Sequence, residues 1–283
     1  MVILVQLVLI IVGSLLFLLI AIIFCIAPGK MSASAKKTAE VFYGLYCAHR
    51  GLHTEDQAIP ENSLSSFVAA REAGYGVELD VQMTKDEKII VFHDYDLKRT
   101  CGVDKMIHDL TYSELSEYTL FETDEKIPLL SEALEVLGEA PVVVELKPAG
   151  RKKNKLFCKN TLDVLRKDGN IWCMESFDPR IVGWFRKNAP DVLRGQLSSL
   201  PRFLEPLSRY TALILGNLLT NFISRPHYLA FSNTYRPLTV KLCRFLGVMR
   251  IAWTIRPDQD VERVEREHDM IIFEYFTPSP RYK

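Results

Sequence analysis

The sequence predicts an α/β barrel of eight parallel strands that follows one N-terminal membrane-spanning helix. Three observations support this prediction: a charge-free apolar segment at residues 2–27, β-rich segments that alternate with helical patterns from residue 45 onward, and a strand count of eight once one hairpin is set apart. Alternating β and α segments are typical of a parallel sheet covered by helices. The 283-residue chain is long enough for one such unit, since α/β barrels reach about 250 residues as single domains.

The charge composition argues against nucleic acid as a partner. The chain carries 35 basic and 35 acidic residues, so its formal net charge is zero and no overall positive field attracts nucleic acid. The six cysteines are scattered and form no CxxC pair, a pattern that predicts reduced, buried thiols and no cysteine-bound metal. No motif specifies an oligomeric state.

The apolar N-terminus predicts a single membrane anchor over residues 1–28. A helix needs about 20 apolar residues to cross a bilayer, and this segment exceeds that length. A cleaved signal peptide is the alternative, but it requires a basic start and a shorter apolar core, and nothing basic precedes this segment. Lys30, Lys36 and Lys37 follow it, so the positive-inside rule places the rest of the chain in the cytoplasm.

Residues 29–44 are predicted to be a polar connector, and residues 45–283 the barrel domain. Helical patterns with apolar residues three or four apart occur between most of the β-rich segments, for example at 62–74 and 129–139. The predicted strands are 45–49, 76–82, 89–93, 142–147, 170–176, 192–197, 228–232, 250–255 and 270–275.

The short connection between the second and third segments determines the strand count. Only residues 83–88 separate 76–82 from 89–93, whereas a parallel crossover requires about a dozen residues or more. These two segments are therefore predicted to form an antiparallel hairpin. Without segment 89–93 eight strands remain, which is the number that closes a (β/α)₈ barrel.

Polar residues near the ends of predicted strands indicate the chemistry. Glu78 and Asp80 are two residues apart on one strand, so they point to the same face, as do Glu145 and Lys147. Adjacent carboxylates are costly to bury unless a cation compensates them. Because carboxylate oxygens are hard ligands, the group favours Ca²⁺ or Mg²⁺ over Zn²⁺. The alternative is a set of salt bridges with Lys147 and Arg50.

Five motifs in order resemble the glycerophosphodiester phosphodiesterase family, in a membrane-anchored form of bacterial type. They are CAHRG (47–51), PENSLSSF (60–67), VELDVQMTKD (77–86), VFHD (91–94) and VELK (144–147). The resemblance implies a TIM barrel with a small insertion after the first hairpin, at about 95–127, and metal-dependent hydrolysis of glycerophosphodiesters to an alcohol and glycerol phosphate. It further implies that His49 and His93 are the acid/base pair and that Glu78, Asp80 and Glu145 bind the metal.

Further residues are expected around the substrate. Arg50 and Lys147 are expected to neutralise phosphoryl oxygens. Glu61 either reaches the metal or favours the start of the helix that follows it. Trp253 either contacts the glycerol moiety or belongs to the core, and Phe177, with the neighbouring Glu175, is expected to line the pocket. His53, His108, His227 and His268 lie in no motif and are expected on the surface or in loops.

Segment 198–227 is predicted to be an interfacial helix or a membrane-interacting lid, with Arg202, Arg209 and Arg225 available to anionic head groups. An ordinary barrel helix is the alternative. Two other functions remain open: a phospholipase C- or D-type hydrolase acting on lysophospholipid or phospholipid at the membrane, and a non-catalytic membrane-anchored barrel. The presence of both motif histidines and all three carboxylates argues against the second.

Overall fold

The strands form the closed barrel that the sequence predicts. A computed structural model describes residues 1–150, 152–167, 169–199, 208–232 and 237–283. The strands are β1 (Tyr46–His49), β2 (Gly76–Met83), β3 (Ile89–Val91), β4 (Val142–Leu146), β5 (Trp172–Ser176), β6 (Arg194–Ser198), β7 (Tyr228–Ser232), β8 (Met249–Ile255) and β9 (Met270–Phe273). Eight parallel strands follow one another in the order β1-β9-β8-β7-β6-β5-β4-β2, and pairing of β2 with β1 closes the ring. The fold is a TIM barrel, which confirms the prediction.

The predicted hairpin is also present. Residues 76–78 of β2 pair in parallel with residues 47–49 of β1, and residues 81–83 pair antiparallel with residues 89–91 of β3. Strand β3 thus takes the place beside β2 beyond the point where β1 ends. The chain leaves β3 at the C-terminal end of the barrel, and this exit brings His93 to the barrel mouth.

Helices surround the barrel, and several of them begin at side-chain caps. Ser63 accepts a hydrogen bond from the Ser66 amide, and the Ser66 hydroxyl accepts one from the Ser63 amide, so the two form a capping box. Asp178 caps the helix that starts with Pro179. The helices are α1 (Val2–Ile26), α2 (Ala33–Phe42), α3 (Leu64–Glu72), α4 (Lys98–Cys101), α5 (Tyr112–Leu115), α6 (Leu130–Leu137), α7 (Asn154–Leu165), α8 (Pro179–Asn188), α9 (Arg209–Gly216), α10 (Asn221–Ser224), α11 (Leu238–Phe245) and α12 (Val261–Glu267).

The main core lies between the strands and the outer helices. Every residue of β2 and β4 is buried, as expected for parallel strands that are covered on both faces. Phe67 of α3, Leu134 of α6, Phe157 of α7 and Phe185 of α8 pack in this layer and are 0 to 1% exposed. This rigid layer fixes the positions of the strand ends that carry the polar residues.

Helix α2 closes the N-terminal end of the barrel. Ala35, Ala39 and Phe42 lie on one side of the helix, and they pack with inward-facing residues such as Tyr228 and Ile251. Ala35 and Phe42 are fully buried. Residues 29–44, predicted to be a connector, therefore include an amphipathic helix that belongs to the barrel core.

The segment between β3 and α6 has a small apolar cluster of its own. It contains α4, a 3₁₀ helix at Ile107–Asp109, and α5. Leu97, Leu115, Leu120 and Ile127 are buried together there. This insertion stands beside the C-terminal end of the barrel, where it supplies residues to the site described below.

Helix α1 is long and apolar enough to cross a membrane. Residues 1–20 are all exposed, so this part of the helix makes no buried contact with the barrel. The C-terminal end of α1 meets the domain, where Ile22, Cys25 and Ile26 pack against α11 and the helix also contacts α10.

Candidate active site

Three strands carry the predicted polar residues to one end of the barrel. His49 is the last residue of β1, and its Cα pairs with that of Glu78 on β2. Asp80, two residues further along β2, pairs with Glu145 on β4. Side chains two residues apart on a strand share a face, so Glu78 and Asp80 lie side by side in the barrel mouth.

The three predicted metal ligands converge. One oxygen from each of Glu78, Asp80 and Glu145 lies within 4.8 Å of the other two, and all three side chains are buried. Burial raises the pKa of Glu78 well above its usual range, and the neighbouring Asp80 and Glu145 raise it further. Burial also raises the pKa of Glu145, although Lys147 opposes that shift. The raised pKa values mean that ionised carboxylates are costly to hold together at this position, so a bound cation would stabilise their charged forms.

Two cationic side chains partly offset this charge. Lys147 Nζ lies 2.9 Å from Asp80 Oδ1 and 2.8 Å from Glu145 Oε1. Burial alone would raise the pKa of Asp80, but Lys147 and other positive neighbours outweigh it and hold that pKa well below its usual range. Arg50 lies on the other side, with its amide nitrogen 3.2 Å from Glu78 Oε2 and its Nε 3.5 Å from Asp80 Oδ2.

The donor set fits a hard divalent cation. Asp80 Oδ1 and Glu145 Oε1 are buried and accept no well-aligned hydrogen bond from the described residues, although Lys147 is within ion-pair distance of both. The converging ligand atoms are all carboxylate oxygens, which Ca²⁺ and Mg²⁺ prefer. Asn62, which the sequence analysis did not single out, donates a hydrogen bond to Asp80 Oδ2 at 2.9 Å and so orients that ligand.

Each motif histidine has one ring nitrogen next to a carboxylate. His49 Nδ1 lies 2.5 Å from Glu274 Oε1, and its Nε2 lies 3.8 Å from Glu78 Oε2. His93 Nδ1 lies 2.6 Å from Asp94 Oδ1. In both rings the carboxylate holds Nδ1, so Nε2 is the nitrogen left for proton transfer.

The electrostatic surroundings of His49 favour its neutral form. Burial lowers its pKa and the adjacent Arg50 lowers it further, while Glu274 acts in the opposite direction. A neutral imidazole whose Nδ1–H is donated to a carboxylate presents Nε2 as an acceptor. His49 therefore has the protonation and orientation that a general base requires.

Arginine side chains hold the two orienting carboxylates in place. Arg256 Nε donates to Glu274 Oε2 at 3.0 Å, and Arg99 Nε donates to Asp94 Oδ2 at 2.7 Å. Arg99 also donates two hydrogen bonds to Glu61. Since Arg99 belongs to α4, the insertion contributes directly to the setting of His93.

Several of these residues were missed or misplaced by sequence reasoning. Glu274 follows β9 directly, so the rule that polar residues at strand ends are functional would have found it. His53 was expected on the surface or in a loop; it lies in a loop but is only 7% exposed, with Nε2 3.7 Å from Glu274 Oε1. His227 and His268 are also buried. All three histidines lie in loops, which agrees with one part of the expectation, but none is at the surface, because a residue outside a motif can still be enclosed by distant segments.

The remaining predicted residues surround this centre. Glu61 binds Arg50 and Arg99 and is not one of the three converging carboxylates. Phe177 and Trp253 stack edge to face with ring centroids 5.7 Å apart. Phe177 directly follows β5 and Trp253 lies in β8; these strands are not neighbours in the barrel, so the pair bridges across the mouth. Glu175 pairs with Glu145 across β5 and β4, and burial raises its pKa to about 8.

The segment predicted as an interfacial helix or lid is described only in part. Residues 200–207, which include Arg202, lie outside the described residues. The described part forms α9 and α10. Ser198 Oγ donates to Leu215 O, and α10 packs against α8 and the last turn of α1. Arg225 lies at the end of α10, where it contacts α1.

Comparisons with known proteins agree with this geometry. The profile of the glycerophosphoryl diester phosphodiesterase family matches residues 49–274. A glycerophosphodiester phosphodiesterase of Caldanaerobacter subterraneus is 34% identical over 233 residues, which cover 78% of this chain and 89% of that protein. A lysophospholipase D of Rattus norvegicus is 36% identical over 119 residues, 38% of this chain and only 37% of that protein.

Solved structures show the same barrel. A glycerophosphodiester phosphodiesterase of Thermotoga maritima superimposes with a TM-score of 0.61 at 29% identity, over 81% of this chain and 93% of that chain. An Oleispira antarctica phosphodiesterase, solved in complex with sn-glycerol-3-phosphate, gives a TM-score of 0.68 at 23% identity, over 86% and 96% of the two chains. The second likeness concerns the fold alone.

Proposed function

The chain belongs to the glycerophosphoryl diester phosphodiesterase family, and from this premise we propose that it hydrolyses glycerophosphodiesters to an alcohol and glycerol phosphate. One observation carries the proposal: two histidines, each oriented by a carboxylate, stand beside three converging buried carboxylates. A phosphodiester requires a proton acceptor for the attacking hydroxyl and a proton donor for the leaving alkoxide. The two imidazoles match these two needs.

In this scheme His49 is the base and His93 is the acid. His49 Nε2 takes the proton of the attacking hydroxyl as the new P–O bond forms, and Glu274 stabilises the resulting imidazolium. His93 Nε2 gives a proton to the departing oxygen as the other P–O bond breaks, while Asp94 holds its ring. The attacking hydroxyl belongs either to water or to the glycerol of the substrate, and in the second case a cyclic phosphate is hydrolysed afterwards.

The carboxylate cluster supports a divalent cation, Ca²⁺ or Mg²⁺, held by Glu78, Asp80 and Glu145. When bound, such a cation neutralises charge on phosphoryl oxygens and so stabilises the transition state. Arg50 and Lys147 lie next to the same carboxylates, and in this scheme they bind the remaining phosphoryl oxygens. Trp253 and Phe177 supply an apolar wall for the glycerol moiety, with Glu61 holding Arg50 in position.

A second candidate is phospholipase D-type hydrolysis of lysophospholipid. The similarity to the rat lysophospholipase D favours it, and a membrane anchor would bring the enzyme to such substrates. We place the anchor at residues 1–28 and the phosphodiesterase domain at residues 45–283, on the cytoplasmic side of the membrane. Lys30, Lys36 and Lys37 support this topology.

Product analysis with defined substrates tests the proposal. The purified full chain is incubated with glycerophosphocholine and with lysophosphatidylcholine, each with and without EDTA, and the phosphorus-containing products are identified by NMR. We expect glycerol phosphate from glycerophosphocholine and its loss in EDTA. Phosphocholine as the product would show cleavage of the other ester bond, and turnover of lysophosphatidylcholine alone would favour the second candidate.

A further inference from the structure

The last turn of α1 is part of the folded domain. Ile26 is fully buried, and Asn221 Nδ2 donates a hydrogen bond to its carbonyl at 3.1 Å. Arg225 Nη1 donates to the carbonyls of Phe24 and Ala27, each at 2.9 Å. α1 has no basic residue in its own last turn, so Arg225 provides the positive charge that a helix C-terminus favours.

This contact lies at the N-terminal end of the barrel. Ile26 packs with Val248, the residue before β8, and the amide of Gly29 donates to the carbonyl of Pro226, two residues before β7. The catalytic residues lie at the C-terminal end, roughly 15 Å away for strands of about five residues. The anchor and the active site are thus at opposite ends of the barrel.

Exposed apolar and basic residues lie on the two helices, α10 and α11, that contact the end of α1. Four apolar side chains are prominent there: Phe222 and Ile223 of α10 are 41% and 37% exposed, and Phe245 and Leu246 at the end of α11 are 85% and 39% exposed. Lys241 and Arg244, also exposed, belong to the same helix as Phe245. We call these six residues the collar.

We propose that the collar rests on the anionic lipid surface of the bilayer that holds α1, so that the barrel mouth faces the water. Continuity with α1 supports contact of the collar with lipid. The ring of Phe222 stacks on Phe24 of α1 at a centroid distance of 6.3 Å, so the apolar surface of the helix continues onto the domain. Apolar side chains mixed with lysine and arginine are typical of segments that lie in the interface of an anionic membrane.

This orientation bears on substrate choice. The site meets molecules that arrive from the aqueous phase, which favours deacylated diesters over lipids that remain in the bilayer. The inference rests on the proposed anchor but not on the proposed reaction, because α1 would hold the barrel in the same way whichever class of substrate the site hydrolyses.

Site-specific photo-crosslinking in vesicles tests the orientation. The full chain carries p-benzoylphenylalanine in place of Phe17, Phe245 or Tyr95, one position at a time, in vesicles that contain phosphatidylglycerol. Phe17 is exposed on α1 and reports insertion of the anchor, while Tyr95 is 48% exposed and follows the motif of His93 at the mouth. Lipid adducts are then measured by mass spectrometry.

We expect lipid adducts at Phe17 and Phe245 and none at Tyr95. Adducts at Phe17 and Tyr95 without one at Phe245 would overturn the orientation, and adducts at Phe17 alone would overturn contact of the collar with lipid. No adduct at any position would overturn the anchor on which the inference rests. Hydrolysis of glycerophosphocholine in detergent, measured on the same samples, reports the proposed function independently.

A charge-reversal pair tests the lipid chemistry. Lys241→Glu combined with Arg244→Glu is expected to reduce the adduct yield at Phe245 several-fold in phosphatidylglycerol vesicles and to leave it unchanged in phosphatidylcholine vesicles. The matched control, Lys85→Glu with Lys98→Glu, changes two exposed lysines of the hairpin turn and of α4. An equal reduction in both variants, or none in either, would contradict the assigned contact.

Discussion

Glu274 Oε1 lies 2.5 Å from His49 Nδ1, although 225 residues separate the two along the chain. The contact forms because β9 lies beside β1 where the barrel closes. It fixes the tautomer of His49 and leaves its Nε2 facing Glu78. Closure of the barrel is therefore what completes the proposed general base.

Glu274→Gln tests this relationship. We expect kcat to fall about 10²-fold, because the amide removes the charge that stabilises the imidazolium and no longer enforces one tautomer. The negative charge also raises the pKa of His49. Its loss should therefore move the acidic limb of the pH–rate profile to lower pH, whereas a merely structural defect would leave that limb in place. Glu262→Gln, at an exposed position of α12, is the matched control.

Metal binding to the three carboxylates should stabilise the protein, and this effect can be measured without an activity assay. Adding Ca²⁺ or Mg²⁺ to the EDTA-treated protein should raise its melting temperature, and at about 100 times Kd the stabilisation is about 2.7 kcal/mol. Glu145→Gln should abolish most of this shift, while Glu135→Gln, at an exposed position of α6, should retain it. Separate titrations with the two ions identify the preferred metal. The site assignment would be contradicted if both variants kept the full shift.

Arg99→Met tests the role of the insertion. Arg99 holds Asp94, which orients His93, so we expect turnover to fall roughly 10-fold through loss of that orientation. The neighbouring Lys98→Met changes an exposed lysine of the same helix and should leave turnover unchanged. Steady-state kinetics of the two variants, compared with wild type, measure the difference. Equal rates in all three proteins would show that Arg99 does not orient His93 for turnover.

We expect the buried side chain of His227 to make the fold less stable in acid. Burial, together with Arg194, lowers its pKa from 6.5 to about 4. Between these two values the unfolded chain binds a proton that the folded chain does not, so stability decreases as the pH falls through this window. The loss reaches about 3 kcal/mol.

Urea unfolding in detergent at pH 7 and pH 5 measures the part of this loss that falls between the two pH values. His227→Gln should reduce the difference in unfolding free energy between the two pH values, whatever its effect on stability at pH 7. His108→Gln, at an exposed position, should leave the difference as in wild type. An unchanged pH dependence in His227→Gln would assign the acid sensitivity to other groups.

Much of the fold followed from the sequence because its signals are local. The six-residue connection between β2 and β3 required a hairpin, and the alternation within β2 placed Glu78 and Asp80 on one face. Helix α2 was not predicted although a local signal existed: Ala35, Ala39 and Phe42 recur at helical spacing within a segment that its lysines made appear to be a simple polar connector.

The orienting groups could not be predicted with the same certainty because they depend on contacts between distant segments. No spacing in the sequence relates Glu274 to His49, or Arg99 to Glu61; these pairs arise from barrel closure and from the folding of the insertion. Burial of His53 and His227 has the same origin. Sequence periodicity describes one element at a time, whereas these residues are enclosed by several.

We propose that His49 and His93 are the acid/base pair for hydrolysis of a glycerophosphodiester. The most direct measurement is the rate of glycerol phosphate release from glycerophosphocholine by the wild type, His49→Ala, His93→Ala and the exposed-site control His108→Ala. We predict that each of the first two substitutions lowers the rate by roughly 10²- to 10⁴-fold, with metal-induced stabilisation retained, and that His108→Ala matches the wild type. Near-wild-type release by either His49→Ala or His93→Ala would contradict the claim.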